Sequence, residues 1–380
     1  MTELLAAPPL ATGTYGAESP WEDTDLALVC RRVIQVTHDV RSFVLEPPGG
    51  RFVDQVPGQY LTVTVPVDGE EVQRCYTISS PPTRPGALMI TVKRVPGGPV
   101  SNWLHDHLQA GGTLHATGPY GRFTMAEHPA PKYLFLSAGS GITPLRSMAR
   151  TLCDRGMPAD VVFVHSARSP RDIIFRRELD AMAAAFDGFA VTAVCEEDSP
   201  IERWTGPRGR LSLAVLREHA PDLGDREVFT CGPPPYMESV RDILADAGVA
   251  AERCHEESFC FEQLAGPVLC PDPLEPEPGA GAASSAAAAE GTTPVFTVEL
   301  RASGRQIECP ADTTVLMAAL RAGVNLPSSC TEGVCGTCKS SLLAGSVDMQ
   351  HAGGIRPREV AQDKFLPCCS KPLEDLVIDR

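Results

Sequence analysis

The chain has 380 residues, of which 43% are hydrophobic and 21% charged, and it carries a formal net charge of −15. That length is enough for two or three domains with buried cores. The acidic balance argues against nucleic acid as a partner, because phosphate binding requires an excess of Lys and Arg.

The first stretch, "MTELLAAPPLATGTYGAESPWEDTD", lacks a basic leader region, and prolines interrupt its apolar run. Neither a signal peptide nor a membrane span is expected, so no membrane partner and a cytoplasmic location, where the fourteen cysteines stay reduced. Residues 1–24 read as a flexible tail. From 25 to 127, short β-rich runs ("LALVCRRVIQVT", "RSFVLEP", "QYLTVTVPV", "RCYTIS", "ALMITVKRV", "TLHATGPYGRF") alternate with Pro and Gly turns, and one helix, "PVSNWLHDHL", interrupts them. This is the rhythm of an antiparallel β-barrel. From 128 to 263, apolar strands alternate with amphipathic helices, which predicts a parallel sheet in an α/β domain. Residues 264–294 contain no Lys, Arg or aromatic residue and are dominated by Pro, Ala, Gly and Ser, as in a linker. Residues 295–380 open with a hairpin, "VFTVELRASGRQIECP", then a helix with Thr near its start and Gly323 near its end.

Within "RCYTIS", strand alternation puts Arg74 and Tyr76 on one face. A guanidinium suits a flavin phosphate, an aromatic ring can lie on the isoalloxazine, and the Thr77 hydroxyl can bond near its N5. Val92 and Lys93 end the next strand. Gly97 and Gly98 then turn the chain into a helix whose N-terminus, at Val100, Ser101 and Asn102, offers free amides and a favourable dipole to a diphosphate. Ser101 also reads as the N-cap of that helix. In "LFLSAGSGITPLRSM", Gly139 and Gly141 let backbone approach a pyrophosphate, and Thr143 and Pro144 begin a helix. Position 144 is Pro where the three-glycine dinucleotide fingerprint would have its third glycine.

Cysteines 330, 335, 338 and 368 follow a C-x4-C-x2-C-x29-C spacing. Structural zinc sites usually show two close pairs, whereas three clustered cysteines and one distant one match the plant-type [2Fe–2S] pattern. The last 85 or so residues thus resemble a plant-type ferredoxin, with a β-grasp fold. Cys330, Cys335, Cys338 and, through "LPCCSKP", Cys368 align with its ligands, and Cys369 remains spare.

The R-x-Y-T strand, the glycine turn before the helix, and G-x-G-x-[ST]-P, in this order, resemble the ferredoxin–NADP reductase superfamily over about 25–263. The diphosphate-type glycine turn favours FAD, with FMN, which occurs in a related reductase family of the same domain order, as the alternative. The resemblance also places Cys231, Gly232 and Pro233 of "TCGPPPYM" close to the nicotinamide, and makes Glu257, Ser258 and Phe259 of "HEESF" the candidates for a residue that borders the flavin; we expect Thr77, Cys231, Glu257 and Phe259 to be the catalytic set. NADH is favoured, with NADPH as the alternative raised by Arg168 and Arg171. Flavin accepts a hydride and releases single electrons, which links the nicotinamide to the cluster. Domain order and segments such as "HSARSPRDIIFRREL" resemble the reductase components of Rieske-type monooxygenases, especially those that demethylate quaternary amines such as glycine betaine. The expected function is therefore electron delivery from NADH to a Rieske-type oxygenase. The alternatives are an NADH oxidoreductase for the hybrid cluster protein and a redox-sensing or electron-storage protein.

Overall fold

The computed structural model describes residues 25–380 except 48, 50–52, 157–158, 259–293, 325, 327–332, 334–335, 337, 352–353 and 356. The described residues up to 258 fall in one unit and those from 294 onward in a second. The expected tail and linker, with Phe259, Cys330 and Cys335, lie outside the described residues.

The first unit begins with strands β1 (Asp25–Gln35), β2 (Val40–Glu46), β3 (Tyr60–Val67), β4 (Glu70–Thr77), β5 (Leu88–Lys93) and β6 (Thr113–Tyr120). They form an antiparallel sheet in the order β4-β3-β6-β1-β2-β5. An antiparallel bridge between Ile78, just past β4, and Ile90 on β5 joins the two edges, so the sheet closes as a barrel. Alternation explains the filling: Phe43, Leu45, Leu61, Val63, Val65 and Ile90 are fully buried, and helix α1 (Pro99–His107) adds Val100 and Leu104.

A five-stranded parallel sheet follows: β7 (Lys132–Ala138), β8 (Asp160–Ala167), β9 (Phe189–Cys195), β10 (Glu227–Gly232) and β11 (Cys254–Ser258), in the order β11-β10-β7-β8-β9. Helices α2 (Ile142–Asp154), α3 (Arg176–Ala185), α4 (Leu213–His219) and α5 (Pro234–Asp246) cover it. Tyr133, Phe135, Phe163 and Phe229 pack on one face with Leu145, Met148, Leu179 and Met182, while Leu134, Leu136, Val162 and Val164 pack on the other with Leu216, Val240 and Leu244. Burial on both faces is why "KYLFLSA" is continuously apolar. The strand order reverses between β7 and β10, and in such sheets the crevice beyond the strands' C-terminal ends at that point takes the ligand.

The barrel joins this sheet on its β7–Phe229 face, where Val40, Phe123 and Met125 enter the same core. Arg146 of α2, 7% exposed, fastens the joint. Its guanidinium donates to Glu178 at 2.8 and 2.9 Å and to the Ser79 carbonyl oxygen, and it lies 4.5 Å from the Phe175 ring. Ser147 donates to the Ser80 carbonyl at 2.9 Å.

In the second unit, β12 (Val295–Leu300), β13 (Arg305–Pro310), β14 (Ser340–Ala344), β16 (Lys364–Phe365) and β18 (Leu376–Ile378) form a mixed sheet ordered β13-β12-β18-β14-β16, and β15 (Val347–Met349) pairs with β17 (Ser370–Pro372). Helix α6 (Val315–Arg321) buries Val315, Leu316 and Ala319 against Val298, Leu300, Ile307 and Ile378; α7 (Pro357–Val360) is a single turn. Thr314 caps α6 by accepting from the Met317 amide, and Gly323, at φ +66°, ends it.

One local expectation needs correction. Ser101 does not cap α1. Pro99 occupies the first helical position and Gly98 the cap, while the Ser101 hydroxyl donates to the Gly98 carbonyl (3.2 Å) and accepts from the Val95 amide (3.2 Å). Helix α3 begins at Arg176, because Pro170–Asp172 makes a separate 3-10 turn and Phe175 takes a left-handed φ of +58°.

Candidate functional site

The flavin-site candidates come from β4, the end of β5 and the N-terminus of α1. Arg74 is half-buried and on the same strand face as Tyr76. Burial pulls its pKa down, the neighbouring Tyr76 opposes this, and burial raises the Tyr76 phenol. Among the described residues no carboxylate pairs with Arg74, so its remaining donors suit a phosphate. The Thr77 hydroxyl oxygen is buried without a hydrogen-bond partner among the described residues. A buried hydroxyl left unpaired costs about 1–3 kcal/mol, so this position fits a bound polar group such as a flavin ring nitrogen. Val92 is buried, with its carbonyl 3.0 Å from His105 Nε2, and Lys93 lies 3.6 Å from Asp39. At α1, the Ser101 and Asn102 side chains bond back to the Val95–Gly98 turn. That ties the turn down and leaves the first-turn amides of Val100 and Ser101 without helical acceptors, the arrangement that receives phosphate.

The nicotinamide-site candidates meet at the C-terminal ends of β7 and β10. Gly139 takes φ +52°, and the Gly139–Gly141 turn leads into α2, where Thr143 donates to the Ser140 carbonyl at 3.0 Å and Pro144 is buried. Gly232 abuts Tyr236 and Ala138, and Pro233 precedes α5. Strand register puts Ser137 beside Cys231 and Cys231 beside Glu257 on the barrel-facing side. Burial, reinforced by the Glu257 carboxylate, pushes the Cys231 thiol well up, so it is a neutral thiol rather than a nucleophile. Arg168 is 62% exposed at the side chain and faces two carboxylates, Asp172 at 3.5 Å and Asp39 at 3.9 Å.

One member of this cross-strand row escaped the sequence reading. His165 pairs in register with Ser137, is fully buried, and has its Nδ1 2.8 Å from the Ser137 hydroxyl. Burial, with the nearby Lys93 charge, lowers its pKa to about 3, so the ring is neutral. A lone His inside "VVFVHSA" carries no such signal; the pair exists only through the register of strands 28 residues apart.

Of the four proposed cluster ligands, the two described ones converge: Cys338 and Cys368 are buried, with sulfurs 3.2 Å apart. A disulfide would bring them to about 2.0 Å. Two close thiols beside a glycine-bearing loop, with Gly333 at φ +72° and Gly336 at φ +70°, fit an iron ligand pair. Cys369 is half-buried against Gly333, whose added Cβ would stand 2.6 Å from its sulfur.

Comparison with known proteins finds three domain families along the chain. The oxidoreductase FAD-binding domain matches residues 28–125, the oxidoreductase NAD-binding domain 135–242, and the 2Fe-2S iron–sulfur cluster binding domain 298–373. The glycine betaine monooxygenase reductase subunit of Pseudomonas aeruginosa is 45% identical over 94% of this chain and 96% of its own length. The chain belongs to this family of oxygenase reductases. A stachydrine N-demethylase reductase subunit of Rhizobium meliloti is 39% identical over 94% of this chain and 97% of its own. Among solved structures, phthalate dioxygenase reductase matches 96% of this chain and all of its own at 26% identity and a TM-score of 0.55. The protein is thus an oxidoreductase with FAD, NAD and [2Fe–2S] modules, the reductase part of an oxygenase system. No helix among the described residues is long and apolar enough to cross a membrane.

Proposed function

We propose that this reductase draws on NADH and serves a cytoplasmic Rieske-type oxygenase that demethylates a quaternary ammonium substrate of the glycine betaine type. The observation that carries the acceptor is full-length similarity to two reductase subunits whose named systems act on betaines, glycine betaine and stachydrine. NADH is supported by the setting of Arg168: with Asp39 and Asp172 beside it, a 2′-phosphate there would meet two carboxylates.

Bound flavin and cluster would supply the conversion of a two-electron hydride into single electrons. The chain's own residues do the positioning. Arg74 and the Val100 and Ser101 amides would hold the flavin's phosphates, Tyr76 would offer its ring to the flavin, and the Thr77 hydroxyl would bond it. The glycine turn and α2 would take the nicotinamide dinucleotide's pyrophosphate, and the neutral Cys231, with Glu257 beside it in register, would line the nicotinamide's side of the crevice. Cys330, Cys335, Cys338 and Cys368 hold the cluster.

The test is reconstitution. Purified reductase, NADH and a betaine-demethylating Rieske oxygenase should release formaldehyde in step with NADH consumed. NADH oxidation that stays uncoupled from demethylation, while the reductase still reduces cytochrome c, would remove this acceptor from consideration.

A further inference from the structure

We propose that His128, Glu227 and His255 form a binding site for a borderline divalent transition metal, with zinc as the fitting ion, at the seam between the barrel and the parallel sheet. The three residues come from separate places in the chain: His128 from the segment joining β6 to β7, Glu227 from the start of β10, and His255 from β11. One potential ligand atom from each lies within 4.8 Å of the other two. All three are half-buried, with the His255 and Glu227 side chains 16% and 15% exposed.

The chemistry of the set is that of a metal site. His255 Nε2 lies 2.6 Å from a Glu227 carboxylate oxygen, and the two imidazoles stack with centroids 3.7 Å apart and planes 27° from parallel. Phe229 floors the group, its ring 4.7 Å from His255 and 6.2 Å from His128. An imidazole binds such a metal through the in-plane lone pair of its neutral ring, and both histidines bring a ring nitrogen to the group. Imidazole with carboxylate suits zinc and its neighbours, whereas magnesium and calcium want oxygen ligands throughout. Zinc bound at about 2.0–2.2 Å by each ligand would set donors about 3.4 Å apart, so binding requires the His128–His255 stack to open by side-chain rotation until the ring nitrogens converge, leaving a fourth position for water.

The backbone on each side is already fixed. The His128 amide donates to the Met125 carbonyl at 3.1 Å, its carbonyl accepts from the Tyr133 hydroxyl at 3.2 Å, and His255 is paired in register with Phe229. An ion there would tie the barrel-to-sheet connection to β11, two residues before Glu257.

The experiment uses tag-free, full-length protein with flavin and cluster loaded. Calorimetric titration with zinc should show one site per chain beyond any taken up by a double variant, His128→Asn with Glu227→Gln. Glu227→Gln alone, nearly isosteric, should weaken zinc at least about tenfold, the scale on which even outer partners of metal ligands act. An excess of magnesium should not compete. Zinc should raise the thermal midpoint of the wild type and not that of the double variant, whose flavin and cluster spectra report that it is folded. Equal zinc uptake by wild type and double variant, or no uptake by either, overturns the proposal.

Discussion

A Cβ added to Gly141 would stand 2.2 Å from the carbonyl oxygen of Cys231 and 2.6 Å from the Gly232 amide nitrogen. The glycine turn after β7 and the end of β10 are therefore in backbone contact, and Gly141 serves that contact before any dinucleotide arrives. Gly139, whose added Cβ meets nothing within 4 Å, answers to its positive φ instead.

Gly141→Ala should thus push β7 and β10 apart at the crevice. Overpacking of this kind costs about 1–3 kcal/mol. The expected outcome is a lower thermal midpoint and a raised KM for NADH, with flavin content retained. Unchanged KM and stability would show that the backbone gives way freely.

Thr77→Val separates two effects of one hydroxyl. In flavin-free protein the hydroxyl is buried and unpaired, so replacing it with a methyl of the same shape should leave stability unchanged or raise it by about 1 kcal/mol. With flavin bound the same change should slow flavin reduction by NADH in stopped-flow measurements. A loss of stability in the flavin-free protein would mean that the hydroxyl has a partner in the protein.

The elements that sequence makes legible are those whose signal is contiguous. "KYLFLSA" is apolar throughout because both faces of β7 are covered, and the R-x-Y-T and G-x-G-x-T-P stretches each place neighbouring residues on one strand or one turn. The Ser137–His165 pair and the His128–Glu227–His255 group are set by sheet register and chain crossing, which no local pattern encodes. Helix α4 is not read from the sequence, although Ser212 caps it by accepting from the Val215 amide. Strands β15 to β18, of two or three residues, are too short to show alternation.

Arg146→Met should loosen the joint between barrel and sheet. The guanidinium is nearly buried and binds Glu178 and the Ser79 carbonyl, so its removal strands a carboxylate and a carbonyl oxygen. Breaking a buried pair in this way costs about 3 kcal/mol. Hydride transfer should slow because the two halves of the crevice lose their fixed alignment. Restoration of stability by pairing it with Glu178→Met would confirm the stranded charge as the cause; a double variant no better than the single one would refute it.

Asp222 gives a pH signature. Hydrogen bonds from Arg226, and then Lys132, hold its carboxyl down at about 2. A carboxyl with a depressed folded-state pKa adds stability that is complete above its unfolded value of about 3.9 and is lost as pH falls towards the folded one. Asp222→Asn should therefore lower the thermal midpoint at pH 7, and the gap from wild type should narrow as pH drops from about 4 to 3. A gap constant over that range would assign the effect to packing rather than charge.

The neighbouring thiols Cys368 and Cys369 should part company under substitution. Cys368 points at Cys338, sulfur to sulfur at 3.2 Å, whereas the Cys369 sulfur lies 3.7 Å from the Leu366 carbonyl and against the Gly333 backbone. Cys368→Ser should abolish the cluster's visible absorbance and cytochrome c reduction while sparing NADH–ferricyanide turnover, which needs only the flavin module. Cys369→Ser keeps the size of the side chain and should retain the cluster. Chemical iron and sulfide analysis of the two variants checks both statements. Cluster loss in Cys369→Ser with retention in Cys368→Ser would exchange their roles, and loss of ferricyanide turnover in Cys368→Ser would show that the flavin module depends on the second unit.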